Sequence, residues 1–186
     1  MRVYLIILLL VLFSGCISDE LEQKTQNKEE TIMKNISISS AAFENGSTMP
    51  VEYTCDGADH SPALAWKGLP DGTRSITLIM DDPDAPGRTF VHWVIYNLPA
   101  DSTGLTTAVP RNKSLDDSSL QGKNDFGKIG YNGPCPPPGK PHRYFFKVYA
   151  LDTVLDLKSG ASKSQVEAAM SGHILAQGEM IGKFGR

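Results

Sequence analysis

Two apolar runs joined by an acidic loop between prolines constrain this chain more than anything else in it. Residues 76–80 read Ile-Thr-Leu-Ile-Met, residues 91–98 read Val-His-Trp-Val-Ile-Tyr-Asn-Leu, and Asp82-Pro83-Asp84-Ala85-Pro86 lies between them. Runs rich in β-branched and aromatic residues, bounded by turn residues, predict the two strands of an antiparallel hairpin. Such a hairpin brings Asp82, at the end of one strand, to the same edge of the sheet as His92, at the start of the next. A carboxylate and an imidazole so placed suit chemistry or the capture of a ligand.

A second stretch, residues 130–141, reads Gly-Tyr-Asn-Gly-Pro-Cys-Pro-Pro-Pro-Gly-Lys-Pro and is barred from helix and central strand by its prolines and glycines. It feeds residues 142–151, the most strand-like run in the chain. Side chains alternate faces along a strand. Alternation puts Asp82 with Ile76, Leu78 and Met80, His92 with Val94, Tyr96 and Leu98, and His142 with Tyr144, Phe146, Val148 and Ala150. Each polar residue thus ends a face that continues as apolar. With the third strand beside the hairpin, Asp82, His92, His142 and Tyr144 form a polar hole at the rim of a hydrophobic core.

A carboxylate near imidazoles favours their protonated forms, Tyr144 adds a hydroxyl donor, and N–H groups in the turn from Gly133 to Cys135 add more. That set suits a small oxyanion such as phosphate or carboxylate. Taken singly, each histidine also suits a structural hydrogen bond, Asp82 a cap of its own turn, and Tyr144 the core.

Elsewhere the pattern predicts a strand over residues 34–41, a short extended piece over 48–54, a mainly irregular region from Pro99 to Gly130 with one short strand at most, and a final strand at 178–184. Ser164 and Glu167 have capping-box spacing ahead of Ala168-Ala169-Met170, so one or two helices fall near the C-terminus. The fold class is mostly β.

Met1-Arg2, an apolar run over residues 3–13 and Ser14-Gly15-Cys16 make up a secretory leader too short for a comfortable membrane span. Cys16 after Ser-Gly resembles the lipidation site of prokaryotic lipoproteins. This predicts a signal peptide at 1–15, a lipid anchor on Cys16 at the outer face of the cell membrane, a solvated tether over 16–33 and a domain over 34–186. Plain secretion and an uncleaved anchor are the alternatives. Beyond Glu30 there are 15 Lys and Arg against 16 Asp and Glu, a near-neutral balance that does not favour nucleic acid. Cys55 and Cys135 remain, either as a disulfide in an oxidising exterior or as two thiols; neither has the Cys-x-x-Cys spacing of a zinc site.

The Asp82-Pro83-Asp84-Ala85-Pro86 loop, then His92-Trp93, then the Gly-Pro-Cys-Pro-Pro loop ending in His142-Arg143-Tyr144, closely resemble the phosphatidylethanolamine-binding protein family. Cys55-Asp56-Gly57, Ser61-Pro62 and the Trp66 context resemble its prokaryotic, Raf-kinase-inhibitor-like branch. The resemblance runs from about residue 35 to the end. It implies a Greek-key β-sandwich and an anion pocket built from Asp82, His92, His142 and Tyr144, walled by Gly133, Pro134 and Cys135, with no cofactor and no metal. It implies Asp84 and Arg143 as scaffold of the rim; alternation turns Arg143 away from His142, toward an outward salt bridge. Trp66 and Trp93 read as core, Ser61 as a turn residue, and His60 and His173 as surface or structural. Eukaryotic members carry a longer insert before the pocket histidine, with an aromatic residue that has no match here.

The reading is a binding protein for a phosphate- or carboxylate-bearing ligand such as a phospholipid headgroup. Some family members inhibit kinases or serine proteases, and for an exported chain a protease is the partner to expect. A hydrolase using the histidines and the carboxylate as an acid–base pair or metal site is the competing class. The chain has neither Gly-x-Ser-x-Gly nor His-Glu-x-x-His to support it.

Overall fold

The structure is a computed structural model that describes residues 34–186. The expected signal peptide, tether and lipidated Cys16 lie outside the described residues.

Strand β4 (Ser75–Asp82) is buried at every position. Its apolar run is continuous because both of its faces are covered. It lies at the middle of a six-stranded sheet, with β5 (Phe90–Pro99) antiparallel on one side and β8 (His142–Leu151) antiparallel on the other. Outside β8 come β9 (Ile174–Phe184) and the parallel β1 (Lys34–Asn35); outside β5 comes β7 (Leu120–Gln121). A smaller sheet has the order β2 (Ser37–Ser39), β3 (Leu64–Lys67), β6 (Gly104–Leu105).

Between the sheets lies one core, where Leu78, Met80, Phe146 and Val148 meet Ile36, Leu64 and Trp66. Beneath the large sheet lies a second, where Ile79, Val94 and Tyr96 meet Val166 and Met170 of helix α1 (Lys163–Met170). Burial of each such aliphatic side chain contributes about 1.5–3 kcal/mol. The expected hairpin, its third neighbour and the mostly β class are all present. Asp81 faces the helix side, fully buried, where it accepts Lys147 Nζ of β8 at 2.9 Å and Lys163 Nζ of α1 at 2.5 Å.

Strict alternation fails on β5. Along β4 the register partner jumps from Leu98 to Ile95 between Ile76 and Leu78, and from Trp93 to Val91 between Met80 and Asp81. Each jump inserts one extra residue on β5, a β-bulge that swaps the face of the residues beyond it. Trp93, Ile95 and Leu98 therefore share the inter-sheet core, whereas Val94 and Tyr96 lie under the helix. His92 is unpaired at one bulge and does not share the face of Val94 and Tyr96, contrary to simple alternation. Asn97 sits at the other with φ 59°, held by its amide to the Leu155 backbone.

Four boundaries also shift. The piece at 48–54 makes one bridge, Thr48 to Lys183, and then turns as a 3-10 helix at Val51–Tyr53, because Pro50 has no N–H with which to continue a ladder. The region 99–130 holds two short strands, β6 and β7. Helix α1 is capped by Ser162 and Gln165 rather than Ser164 and Glu167: Ser162 Oγ accepts the Gln165 N–H while Gln165 Oε1 accepts the Ser162 N–H at 2.9 Å. β9 begins at Ile174, earlier than expected, since its glycines mark crowding rather than a strand end; a Cβ on Gly178 would come within 1.9 Å of the Ile36 carbonyl oxygen.

Cys55 and Cys135, 80 residues apart, form a disulfide with Cα atoms 5.3 Å apart. Closing so long a loop limits the unfolded chain. Reduction is expected to lower the unfolding free energy in urea by about 2–5 kcal/mol; Cys55 and Cys135 both reacting with a maleimide in the oxidised native protein would contradict the bond.

Candidate functional site

Asp82 ends β4 and uses both carboxylate oxygens. Oδ1 accepts the Asp84 N–H at 2.8 Å, an Asx-type cap of the loop, and Oδ2 accepts Nδ1–H of His142 at 2.7 Å from the start of β8. The two roles open from sequence, turn cap and site residue, belong to one side chain. Asp84 turns outward to Arg143, accepting from its Nε at 2.8 Å, its Nη2 at 2.7 Å and its backbone N–H at 2.9 Å. This is the outward salt bridge that alternation on β8 predicts. The Arg143 guanidinium lowers the Asp84 pKa to about 2.

His92 is 2% exposed, and its Nδ1–H donates to the Asn132 carbonyl at 2.8 Å. Burial depresses its pKa, outweighing the pull of the Asn132 carbonyl, Asp82 and Asp125 toward the charged form. It is therefore neutral near pH 7, where proximity to a carboxylate alone predicted a cation. Tyr144 lies by both imidazoles, edge-on to His92 with centroids 5.2 Å apart and stacked with His142 at 6.5 Å. Its hydroxyl is buried and makes no hydrogen bond of good geometry among the described residues, although the Asp82 carboxylate lies close enough to act on it. Burial first, then the charge of Asp82, push the phenol far above its usual pKa, so it stays an O–H donor. Neither imidazole gives its Nε2 to a protein partner among the described residues.

The pocket beside His142 is lined by the later part of the loop before β8, Pro137, Pro138, Lys140 and Pro141, and not by the expected wall residues Gly133, Pro134 and Cys135. Cys135 is tied to Cys55, whose N–H donates to the Pro134 carbonyl at 3.0 Å. Asp59 accepts the Gly133 N–H at 2.7 Å and Asn132 Nδ2 at 3.1 Å, and also holds Arg111. The Gly133 N–H is thus spent within the protein rather than open to a ligand. Position 133 requires glycine by close approach, since a Cβ would lie 2.2 Å from the Tyr53 carbonyl oxygen. His142 lines an open pocket of about 280 Å³ with Asp84, Pro137, Pro138, Lys140 and Pro141.

Sequence reading missed Asn132 and Asp59, which orient the site, and the aromatic rings over His92. Phe90 and Phe126 lie 5.3 and 5.4 Å from that imidazole, with Phe126 39% exposed. Phe90 was within reach, since it stands two residues before His92 on the same strand and plain alternation gives the two one face. Phe126, in the irregular region, gives no local signal. Away from the site, His173 pairs with Asp152, His60 lies edge-on to Tyr53, and buried Ser61 accepts the Val109 N–H through its hydroxyl. Trp66 and Trp93 are core, as expected. Among the described residues no three His, Cys, Asp or Glu side chains form a metal-binding group.

Replacing Arg143 by Met is expected to raise the Asp84 carboxyl from about 2 toward its ordinary 3.8, read by carbon-detected NMR titration. Because the folded value lies below the unfolded one, the stabilisation is full above pH ~4 and is lost as pH falls toward 2. The variant should therefore acid-unfold at higher pH than the wild type; an unmoved Asp84 titration would contradict the pairing.

This geometry has relatives. A family model described as phosphatidylethanolamine-binding protein matches residues 39–185. A UPF0098 protein of Methanothermobacter thermautotrophicus is 52% identical over 81% of this chain and 99% of its own length, and one of Aquifex aeolicus is 50% identical over 80% and 88%. Among solved structures, Escherichia coli YbcL, described as a member of the mammalian family, has a TM-score of 0.76 at 34% identity, covering 82% of this chain and 99% of its own. A Chlamydia trachomatis homologue of phosphatidylethanolamine-binding protein has a TM-score of 0.75 at 36% identity, covering 82% and 98%. The family model and these relatives show that the chain belongs to the phosphatidylethanolamine-binding protein family.

Proposed function

We propose that this protein is an exported, lipid-anchored binding protein whose pocket captures a small oxyanion, phosphate or carboxylate, of the kind a phospholipid headgroup presents. Family membership supports a binding function. The observation that carries the finer reading is the buried Tyr144 hydroxyl, which has no hydrogen-bond partner of good geometry among the described residues, set beside two imidazoles whose Nε2 has none there either. Leaving a buried hydroxyl unpaired costs about 1–3 kcal/mol. A ligand oxygen that accepts from Tyr144 recovers that cost. Export and anchoring rest on the leader and Cys16.

The pair of His142 and Asp82 at 2.7 Å also has the form of an acid–base dyad, the feature that a hydrolase reading would use. Among the described residues no serine, threonine or cysteine hydrogen-bonds to either imidazole. Holding a ligand therefore explains the arrangement with fewer parts.

Isothermal titration of the full-length protein with inorganic phosphate and with phosphoethanolamine tests this reading. Tyr144→Phe is expected to weaken binding about tenfold, as loss of a hydrogen bond to a charged group does, while thermal stability stays equal or rises. His142→Ala should abolish the heat. Unchanged affinity in both variants, or a Tyr144→Phe protein that loses stability and binds normally, would show that the hydroxyl is structural.

A further inference from the structure

Strands β8 and β9 place Lys147, whose ammonium is held by Asp81, opposite Glu179, and nearer the pocket on the same face they place Arg143 opposite Lys183. Like charges directly opposite each other destabilise a sheet. Arg143 is compensated by Asp84, which spends its carboxylate on that guanidinium. Lys183 has no acidic partner among the described residues, and neither has Lys140, in the proline-rich loop. Both lysines line one cavity of about 560 Å³ with Asp84, Pro141 and Arg143. Counting the four charged groups, the cavity carries a net charge of about +2.

This cavity adjoins the pocket at His142. Asp84, Lys140 and Pro141 line both, so the two spaces share one wall. A molecule whose first anion sits by His142 can extend along that shared wall toward Lys140 and Lys183. A positively charged tail there meets two cations; a negatively charged one meets two donors of opposite charge.

We propose that Lys140 and Lys183 form a second anion subsite, and that the ligand class is a phosphate or carboxylate compound with a second anionic group a few bonds away, rather than one whose tail carries an ammonium alone. The proposal rests on the anion-pocket reading above and narrows it. A serine-type phospholipid headgroup and a free phospho-carboxylate both have this chemistry.

The test is titration of full-length protein in detergent with three phosphonates of similar size: ethylphosphonate, 2-aminoethylphosphonate and 3-phosphonopropionate. The carboxylate compound should bind about three- to tenfold tighter than ethylphosphonate at low salt, the amine compound more weakly, with the spread shrinking as salt is raised. Lys140→Gln/Lys183→Gln, both exposed positions, should erase the spread, and Lys183→Gln alone, at a position that lines the second cavity and not the first, should narrow it and keep the ethylphosphonate affinity. Equal affinity for all three, or a spread that survives the double variant, overturns the second subsite alone. Absence of binding by all three overturns it together with the pocket reading. Preference for glycerophosphoserine over O-phosphoserine assigns the chemistry to a lipid headgroup and the reverse to a free metabolite; each supports the subsite if it disappears in the double variant.

Discussion

The carboxylate of Asp82 is the interaction on which the rest of the site depends. It lies at the end of the central strand, 3% exposed, and its two oxygens hold two different chain segments: the loop that closes the hairpin and the first residue of the next strand. A charge this deep is stable only when its lone pairs are used. Here that requirement fixes the rotamer of His142 and the path of the chain toward Asp84 together. Asp81, one residue earlier, solves the same problem on the opposite face with two lysines, and so ties the helix to the sheet. Adjacent carboxylates on one buried strand thus anchor both layers.

The polar site keeps its shape through unequal roles for its two histidines. His142 faces a carboxylate, whereas His92 faces only a carbonyl and is held neutral by burial. The two imidazoles therefore present different chemistry from one site, one bonded to a carboxylate and one to a carbonyl. Tyr144 is stacked on one ring and edge-on to the other.

Much of this was legible in the residues. The apolar runs announced the hairpin and β8, and the order of Asp82, His92, His142 and Tyr144 announced the site, because strand periodicity is a local property of the chain. The faces of β5 were not legible: a bulge is set by how the strand twists against two neighbours, and neither Val91-His92 nor Tyr96-Asn97 carries the glycine that would mark one. The charge state of His92 was misjudged for a related reason, since proximity of a carboxylate can be read from sequence but the degree of burial cannot. Asp59, Asn132 and Phe126 come from irregular segments whose positions depend on tertiary contacts alone.

The loop that leads into β8 is stitched to the loop after the 3-10 turn by the bond between Cys55 and Cys135. Its neighbour Pro134 and the glycine at 133 are held by that same loop through Cys55, Asp59 and Tyr53. The loop before β8 is therefore held by a covalent bond as well as by folding. With both thiols reduced, Asp82, His92, His142 and Tyr144 would keep their places on the strands while that loop lost its covalent tie, so its position is coupled to the redox state of the two cysteines.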